Sequence, residues 1–154
     1  MDLNSEDELE GSFLPAYALA RNILYSDYGR KTSKYSKTQI AILAVLYWHD
    51  EMFMSQIADL IAAPRPQVTR AMIPLADDGL VERFEHSSNR KLVHIRLTET
   101  GRQYMKNYLQ DHFETLRKNL SNEESAKLIL ASRTIVEILN KGILNNKERF
   151  QSMR

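Results

Sequence analysis

The chain has 154 residues, 43% of them hydrophobic, and a formal net charge of +1; this is one domain's length and enough for a buried core. It contains no cysteine, which excludes disulfides, thiol redox sensing and cysteine-ligated zinc. The longest apolar run, Ile40 to Trp48, is far short of the roughly 20 residues of a membrane span, so a cytoplasmic protein with no membrane partner is expected.

The opening MDLNSEDELE is acidic with no basic residue, unlike a secretory signal, and residues 1–11 read as frayed. Phe13, Leu14, Tyr17, Ala18, Leu24, Tyr25 and Tyr28 then recur at helical spacing, with Gly29 as a stop and Pro15 in the first turn. A basic, polar stretch follows to Lys37. Ser36-Lys37-Thr38-Gln39 is a capping-box pattern. It opens a helix to about Trp48 with Ile40, Leu43, Leu46 and Tyr47 on its apolar face. Met52 to Met54 reads as a short extended piece, and Ser55 to Ala62 as a short helix carrying Ile57, Leu60 and Ile61.

The stretch APRPQVTRAMIPLADDGLVER, Ala63 to Arg83, predicts another helix. Pro64 and Pro66 suit a helix start, where the missing N–H groups would have no partner anyway. Val68, Met72 and Leu75 share one face, while Pro66, Thr69, Arg70 and Ile73 share the opposite one, with Gln67 on the flank. Gly79 is a natural C-terminal cap. Pro74 should kink or tighten the last turns, at about 3 kcal/mol if nothing offsets it. Leu80 to Glu85 reads as a strand and residues 86–91 as a polar loop. Leu92 to Leu97 is a second strand, with Val93, Ile95 and Leu97 on one side and His94 and Arg96 on the other.

Thr98 caps a long helix striped by Tyr104, Met105, Tyr108, Leu109, His112, Phe113 and Leu116. Ser121 to Glu124 is a second capping box, opening a last helix to about Leu144. The fold class is therefore mainly α with a small β-hairpin.

Two short helices on a tight connection, followed by a hairpin, make a winged helix-turn-helix. Six basic residues lie between Arg65 and Arg96 (Arg65, Arg70, Arg83, Arg90, Lys91 and Arg96), so a near-neutral total hides a basic surface. The expected partner is double-stranded DNA. Arg65, Pro66, Gln67, Thr69 and Arg70 lie on or beside the outward face of the recognition helix. Gln and Arg pair with base edges, and Thr reaches bases or phosphates. Arg90 and Lys91 at the hairpin tip are placed for backbone or minor groove. Ser36 and Thr38, at the start of the helix that runs to about Trp48, complete the candidate set.

From Ser36 to about Met105 the sequence resembles the MarR family of bacterial transcription regulators. SKTQIAILAVL, SQIADLI, PQVTRAMIPLADDGLVER and NRKLVHIRLTETGR carry the resemblance. The last is the most specific, with a basic wing, an alternating strand and Leu-Thr-x-x-Gly opening a long helix. The resemblance implies one domain over residues 1–154. Its DNA-binding lobe would span about 36–98, and its N- and C-terminal dimerisation helices about 12–30 and 99–146. It implies a homodimeric repressor on a pseudo-palindromic operator, with Arg65 to Arg70 in the groove and Arg90 at the wing tip. It also implies a small aromatic or phenolic effector that weakens DNA binding. Tyr17, Arg21, Tyr28, Tyr47 and Trp48 are the candidates to line its pocket, with Arg21 opposite a ligand carboxylate. Aromatic side chains at helical spacing are usually core or dimer interface, and that is the stronger reading of these positions.

Four positions depart from the family pattern. Pro64 stands where Ser or Thr usually caps the recognition helix, and Ala62 where the preceding turn usually has Gly. Asn89 replaces the usual wing Asp, and Pro74 is unusual. The alternative function is a winged-helix protein-interaction module without sequence-specific DNA binding. No cofactor is called for. His49, His86, His94 and His112 lack metal-ligand spacing, Asp77 and Asp78 read as solvated surface, and no nucleophile–base arrangement suggests an enzyme.

Overall fold

The computed structural model describes residues 6–25, 33–85 and 93–151. They fall into two compact units, one ending at Phe113 and the other beginning at Glu114. None of the described helices is long and apolar enough to cross a membrane.

The first helix, α1 (Glu6–Tyr25), begins earlier than the sequence suggests. Pro15 consequently sits inside the helix rather than in its first turn. Both Pro15 and Gly11, whose carbonyl loses its partner four residues on, are exposed, so water can satisfy that oxygen. Tyr28 and Gly29 lie outside the described residues.

Helix α2 (Lys37–Trp48) starts at the expected capping box. The Gln39 N–H donates to Ser36 Oγ at 3.3 Å, and the Ser36 N–H donates to Gln39 Oε1 at 2.9 Å. Strand β1 (Met52–Phe53) runs directly into α3 (Met54–Leu60), one residue earlier than expected. Gln56 Oε1 accepts the Phe53 N–H at 2.9 Å and fixes that early start. Helix α4 (Arg65–Asp77) follows, then β2 (Val81–Glu85) and β3 (Val93–Leu97). Strand β2 begins one residue later than expected, and Leu92, the expected start of the second strand, lies outside the described residues. The hairpin gains a third strand, because β1 pairs antiparallel with β3 to give the order β1-β3-β2.

Helix α5 (Glu99–Asn119) and helix α6 (Asn122–Gln151) complete the chain. The second capping box forms as expected. The Ser121 N–H donates to Glu124 Oε2 at 2.8 Å, and the Glu124 N–H donates back to Ser121 Oγ at 3.2 Å. The first of these bonds holds the Glu124 carboxyl below the usual range. The helix runs well past Leu144, since nothing between there and Gln151 is a Pro or Gly that would stop it.

The core of the first unit gathers one face from each element. Ile42, Leu43 and Leu46 of α2, Ile57 of α3, Val68, Met72 and Leu75 of α4, Ile95 of β3 and Met105 of α5 are all fully buried. Each such side chain contributes about 1.5–3 kcal/mol relative to exposure. This core fixes α4 by its inner face and leaves the outer face open.

Candidate nucleic-acid interface

The turn that aims α4 is a helix C-cap built on alanine. Ala62 has φ of 51°. The Ala63 N–H donates to the Ala58 carbonyl at 3.0 Å and the Ala62 N–H to the Asp59 carbonyl at 3.3 Å. This is the Schellman bond pair, which requires a left-handed residue between helix and turn. The departure from glycine therefore falls on the backbone position that most favours glycine. Pro64 then takes the N-cap place with φ of −59° and makes no side-chain cap. Its carbonyl accepts from the N–H groups of Gln67 and Val68 at 2.9 and 3.1 Å, so the helix starts on backbone bonds alone.

Arg65, Pro66, Gln67, Thr69 and Arg70 are all exposed, while Val68 behind them is fully buried. Neither arginine is paired with a carboxylate among the described residues. Helix α4 continues through Pro74. The Arg70 carbonyl that loses its partner belongs to an exposed residue, as does Pro74 itself, so solvent offsets part of the expected cost.

Two glutamines lash the start of α2 to α4. Gln39 Nε2 donates to the Ala71 carbonyl at 3.2 Å, and Gln67 Nε2 donates to Thr38 Oγ1 at 3.1 Å. Two of the candidate DNA contacts, Gln67 and Thr38, thus meet each other at the surface. Ser36, a third, spends its hydroxyl on the α2 cap.

The far end of α4 closes on a second Schellman cap. Gly79 has φ of 69°, and its N–H donates to the Ala76 carbonyl while that of Leu80 donates to the Leu75 carbonyl, both at 2.9 Å. Asp78, just before it, is more than solvated surface. Its carboxylate accepts from Tyr35 Oη at 2.7 Å and pairs with Lys34 Nζ at 2.8 Å. Lys34 and then Tyr35 hold the Asp78 carboxyl below the usual range. Partial burial and the bond to Asp78 push the Tyr35 phenol up to about 12. Tyr35 also meets Tyr104 of α5 edge to face, with ring centroids 5.2 Å apart. No sequence pattern announces this tie, because its partners are 43 residues apart.

The hairpin keeps the expected alternation at its base. Ile95 and Leu97 are buried, and Val93 is exposed where the core runs out. On the other face Arg96 Nε donates to Glu82 Oε1 at 2.6 Å and its guanidinium lies 4.5 Å from the Phe84 ring. His94 is flanked by Phe53 and Phe84 at 4.2 and 5.5 Å, and its Nδ1 is 3.4 Å from Glu51. Arg90 and Lys91 lie outside the described residues.

Of the effector-pocket candidates, Tyr47 and Trp48 meet edge to face at 5.8 Å. Trp48 is exposed, as are Tyr17 and Arg21 on α1, and Tyr28 lies outside the described residues. Among the described residues no three His, Asp or Glu side chains gather as a metal site.

Residues 35–93 match the model of the MarR family. The uncharacterised HTH-type transcriptional regulator YdgJ of Bacillus subtilis is 23% identical over 113 residues, covering 73% of this chain and 68% of that protein. Among solved structures, the transcriptional regulator BldR of Sulfolobus solfataricus superposes with a TM-score of 0.61 at 19% identity, covering 89% of this chain and 98% of the other. A mutant of MepR from S. aureus gives 0.62 at 17%, covering 88% and 98%. A mutant of MarR from E. coli, complexed with operator DNA, gives 0.51 at 20%, covering 88% and 99%. At these identities the superpositions establish a shared fold.

Proposed function

The winged-helix segment of this chain belongs to the MarR family, and from that premise we propose a DNA-binding transcription regulator that acts as a homodimeric repressor. One observation carries the reading. Helix α4 is anchored by Val68, Met72 and Leu75 and offers Arg65, Pro66, Thr69 and Arg70 to solvent. A rigid helix with a polar, basic outer face fits the major groove. The mutant MarR solved with operator DNA has the same fold. In this reading the lobe at about 36–98 holds the DNA, with Gln67, Thr38 and Ser36 at the edge of the groove and Arg90 and Lys91 beyond it. The helices at about 12–30 and 99–146 join two copies on a pseudo-palindromic operator.

Dimerisation has its own support. Leu14 and Leu19 of α1 are each 68% exposed in the single chain. Leu130, Val136 and Ile138 of α6 are likewise largely exposed, and in each unit these are apolar side chains that a second copy would cover. A small aromatic or phenolic effector acting through Tyr17, Arg21, Tyr28, Tyr47 or Trp48 is the remaining part of the proposal.

The test is a titration of the purified chain against its own upstream intergenic DNA and a scrambled duplex, at two salt concentrations. Tight, salt-sensitive binding that prefers the upstream DNA is expected. Weak binding to both duplexes with no salt dependence would favour the protein-interaction module instead. The same binding assay, repeated with aromatic acids added, tests for the effector.

A further inference from the structure

Helix α4 carries one aliphatic side chain on the wrong side. Val68, Met72 and Leu75 are fully buried, yet Ile73 is 52% exposed. At 100° per residue Ile73 falls within the outward face between Thr69 and Arg70, almost opposite the buried stripe. Isoleucine is not a favoured choice at an exposed helical position, because its branched side chain loses rotamer freedom there. Isolated exposed aliphatics are common; this one stands among residues placed to meet a ligand. Arg65 and Arg70 make the surroundings basic, which suits a polyanion. Pro74, immediately after it, restricts the Ile73 backbone.

We propose that Ile73 is a base-specificity residue that packs against the C5-methyl group of a thymine in the major groove. The inference rests on the DNA-binding reading above. A rise of about 1.5 Å per residue puts Ile73 about 4.5 Å beyond Arg70 and about 6 Å beyond Thr69 along the helix. Base pairs stack at about 3.4 Å, so Ile73 reaches one or two steps past the bases that those two side chains face. The thymine methyl is the one apolar group on the base edges of the major groove. An isoleucine has no hydrogen bond to offer there, so the methyl is what it can select. Each half-site then requires an A·T pair of fixed orientation at one position.

The experiment begins with duplexes enriched from a randomised library by the full chain. Each thymine is then replaced singly by deoxyuridine, which removes only the methyl group and keeps base pairing. Wild type should lose about fourfold in affinity at one thymine per half-site, the equivalent of one buried methyl-sized group. Ile73→Ala should bind the thymine and deoxyuridine duplexes equally at that position, and Ile73→Val should keep part of the difference. Circular dichroism confirms that each variant is folded, which its surface position favours. If Ile73→Ala discriminates thymine from deoxyuridine as wild type does, or if no thymine matters to wild type, the inference is overturned while the DNA-binding reading stands. If no duplex is enriched and binding shows no salt dependence, both fall.

Discussion

Thr98 Oγ1 donates to the Gly79 carbonyl oxygen at 2.6 Å and accepts the Gly101 N–H at 3.1 Å. One hydroxyl therefore closes the end of α4 and starts α5. The Thr98 N–H adds a bond to the Leu80 carbonyl at 3.0 Å. Gly101 passes so close to that same carbonyl that a Cβ would strike the Leu80 oxygen. The Leu-Thr-x-x-Gly stretch is thus a clasp, with threonine for two hydrogen bonds and glycine for a close backbone approach. Thr98→Ala should lower stability by about 1 kcal/mol. Gly101→Ala should cost more, roughly 1–3 kcal/mol, because backbone must move. Urea denaturation of both variants checks the order; an innocuous Gly101→Ala would refute the close approach.

The two Schellman caps make a matched pair with opposite expectations. Ala62 and Gly79 occupy equivalent places, with φ of 51° and 69°. A Cβ at Gly79 meets nothing within 4 Å, so its cost there is conformational alone. Ala62→Gly should raise stability and Gly79→Ala should lower it, each by about 1 kcal/mol. Thermal melts of the two single variants should move in opposite directions. A fall in stability for Ala62→Gly would mean that the turn is not left-handed.

Much of this architecture is legible in the sequence because its signals are local. The capping boxes at Ser36 and Ser121, the buried spacing of Val68, Met72 and Leu75, and the alternation of Ile95 and Leu97 are each set within a few residues. What escapes depends on distance or context. The Tyr35–Asp78 bond and the Gln67–Thr38 bond join separate elements, and no short pattern announces them. The sequence shows the short extended piece at Met52, but not that it pairs with β3 as a third strand. Helix α1 departs from expectation at Pro15, because a proline is a start signal in most helices and an acidic stretch before it resembles a frayed end. Exposed Pro15 and Gly11 let this helix bear the missing hydrogen bond.

The Tyr35–Asp78–Lys34 cluster should show at both ends of the pH scale. A free tyrosine ionises near pH 10, and Tyr35 is raised to about 12. A raised pKa means that the folded state holds the proton more tightly. Its contribution is complete below the unfolded value and is lost as the pH rises from about 10 through about 12. Asp78 is shifted down, so its contribution is complete above the ordinary aspartate range and is lost as the pH falls below it. In a phenolate absorbance titration one late-ionising tyrosine should disappear in Tyr35→Phe. Asp78→Asn should move that tyrosine back toward its ordinary value. An unchanged titration in Asp78→Asn would rule out the hydrogen bond as a cause.

Helix α6 tests dimerisation by charge. Ile138 is 60% exposed in the single chain, and a partner that buries it gains about 1.5–3 kcal/mol per copy. Ile138→Asp removes that gain and adds a charge to an apolar surface, so the dimer should weaken by at least about tenfold. Light scattering over a dilution series reads the change directly. A wild-type mass equal to one chain at micromolar concentration would remove the dimer from the proposal.

Arg70 and Arg65 should separate by salt. Both are exposed on α4, but Arg70 lies on the outward face beside Thr69 and Ile73, whereas Arg65 is the first residue of the helix. Arg70 is placed to read a base and Arg65 to meet a phosphate. Arg70→Ala should cost about 1–3 kcal/mol and relax preference at one base pair per half-site, leaving most of the salt dependence intact. Arg65→Ala should weaken binding to all duplexes alike and reduce the salt slope by about 1 for each phosphate that its guanidinium neutralises. Competition titrations with single-base-pair variants of the enriched duplex, run at several salt concentrations, distinguish the two. If Arg70→Ala keeps every base preference of the wild type, Arg70 is a backbone contact, and the bases are read by Thr69, Ile73 and the residues around them.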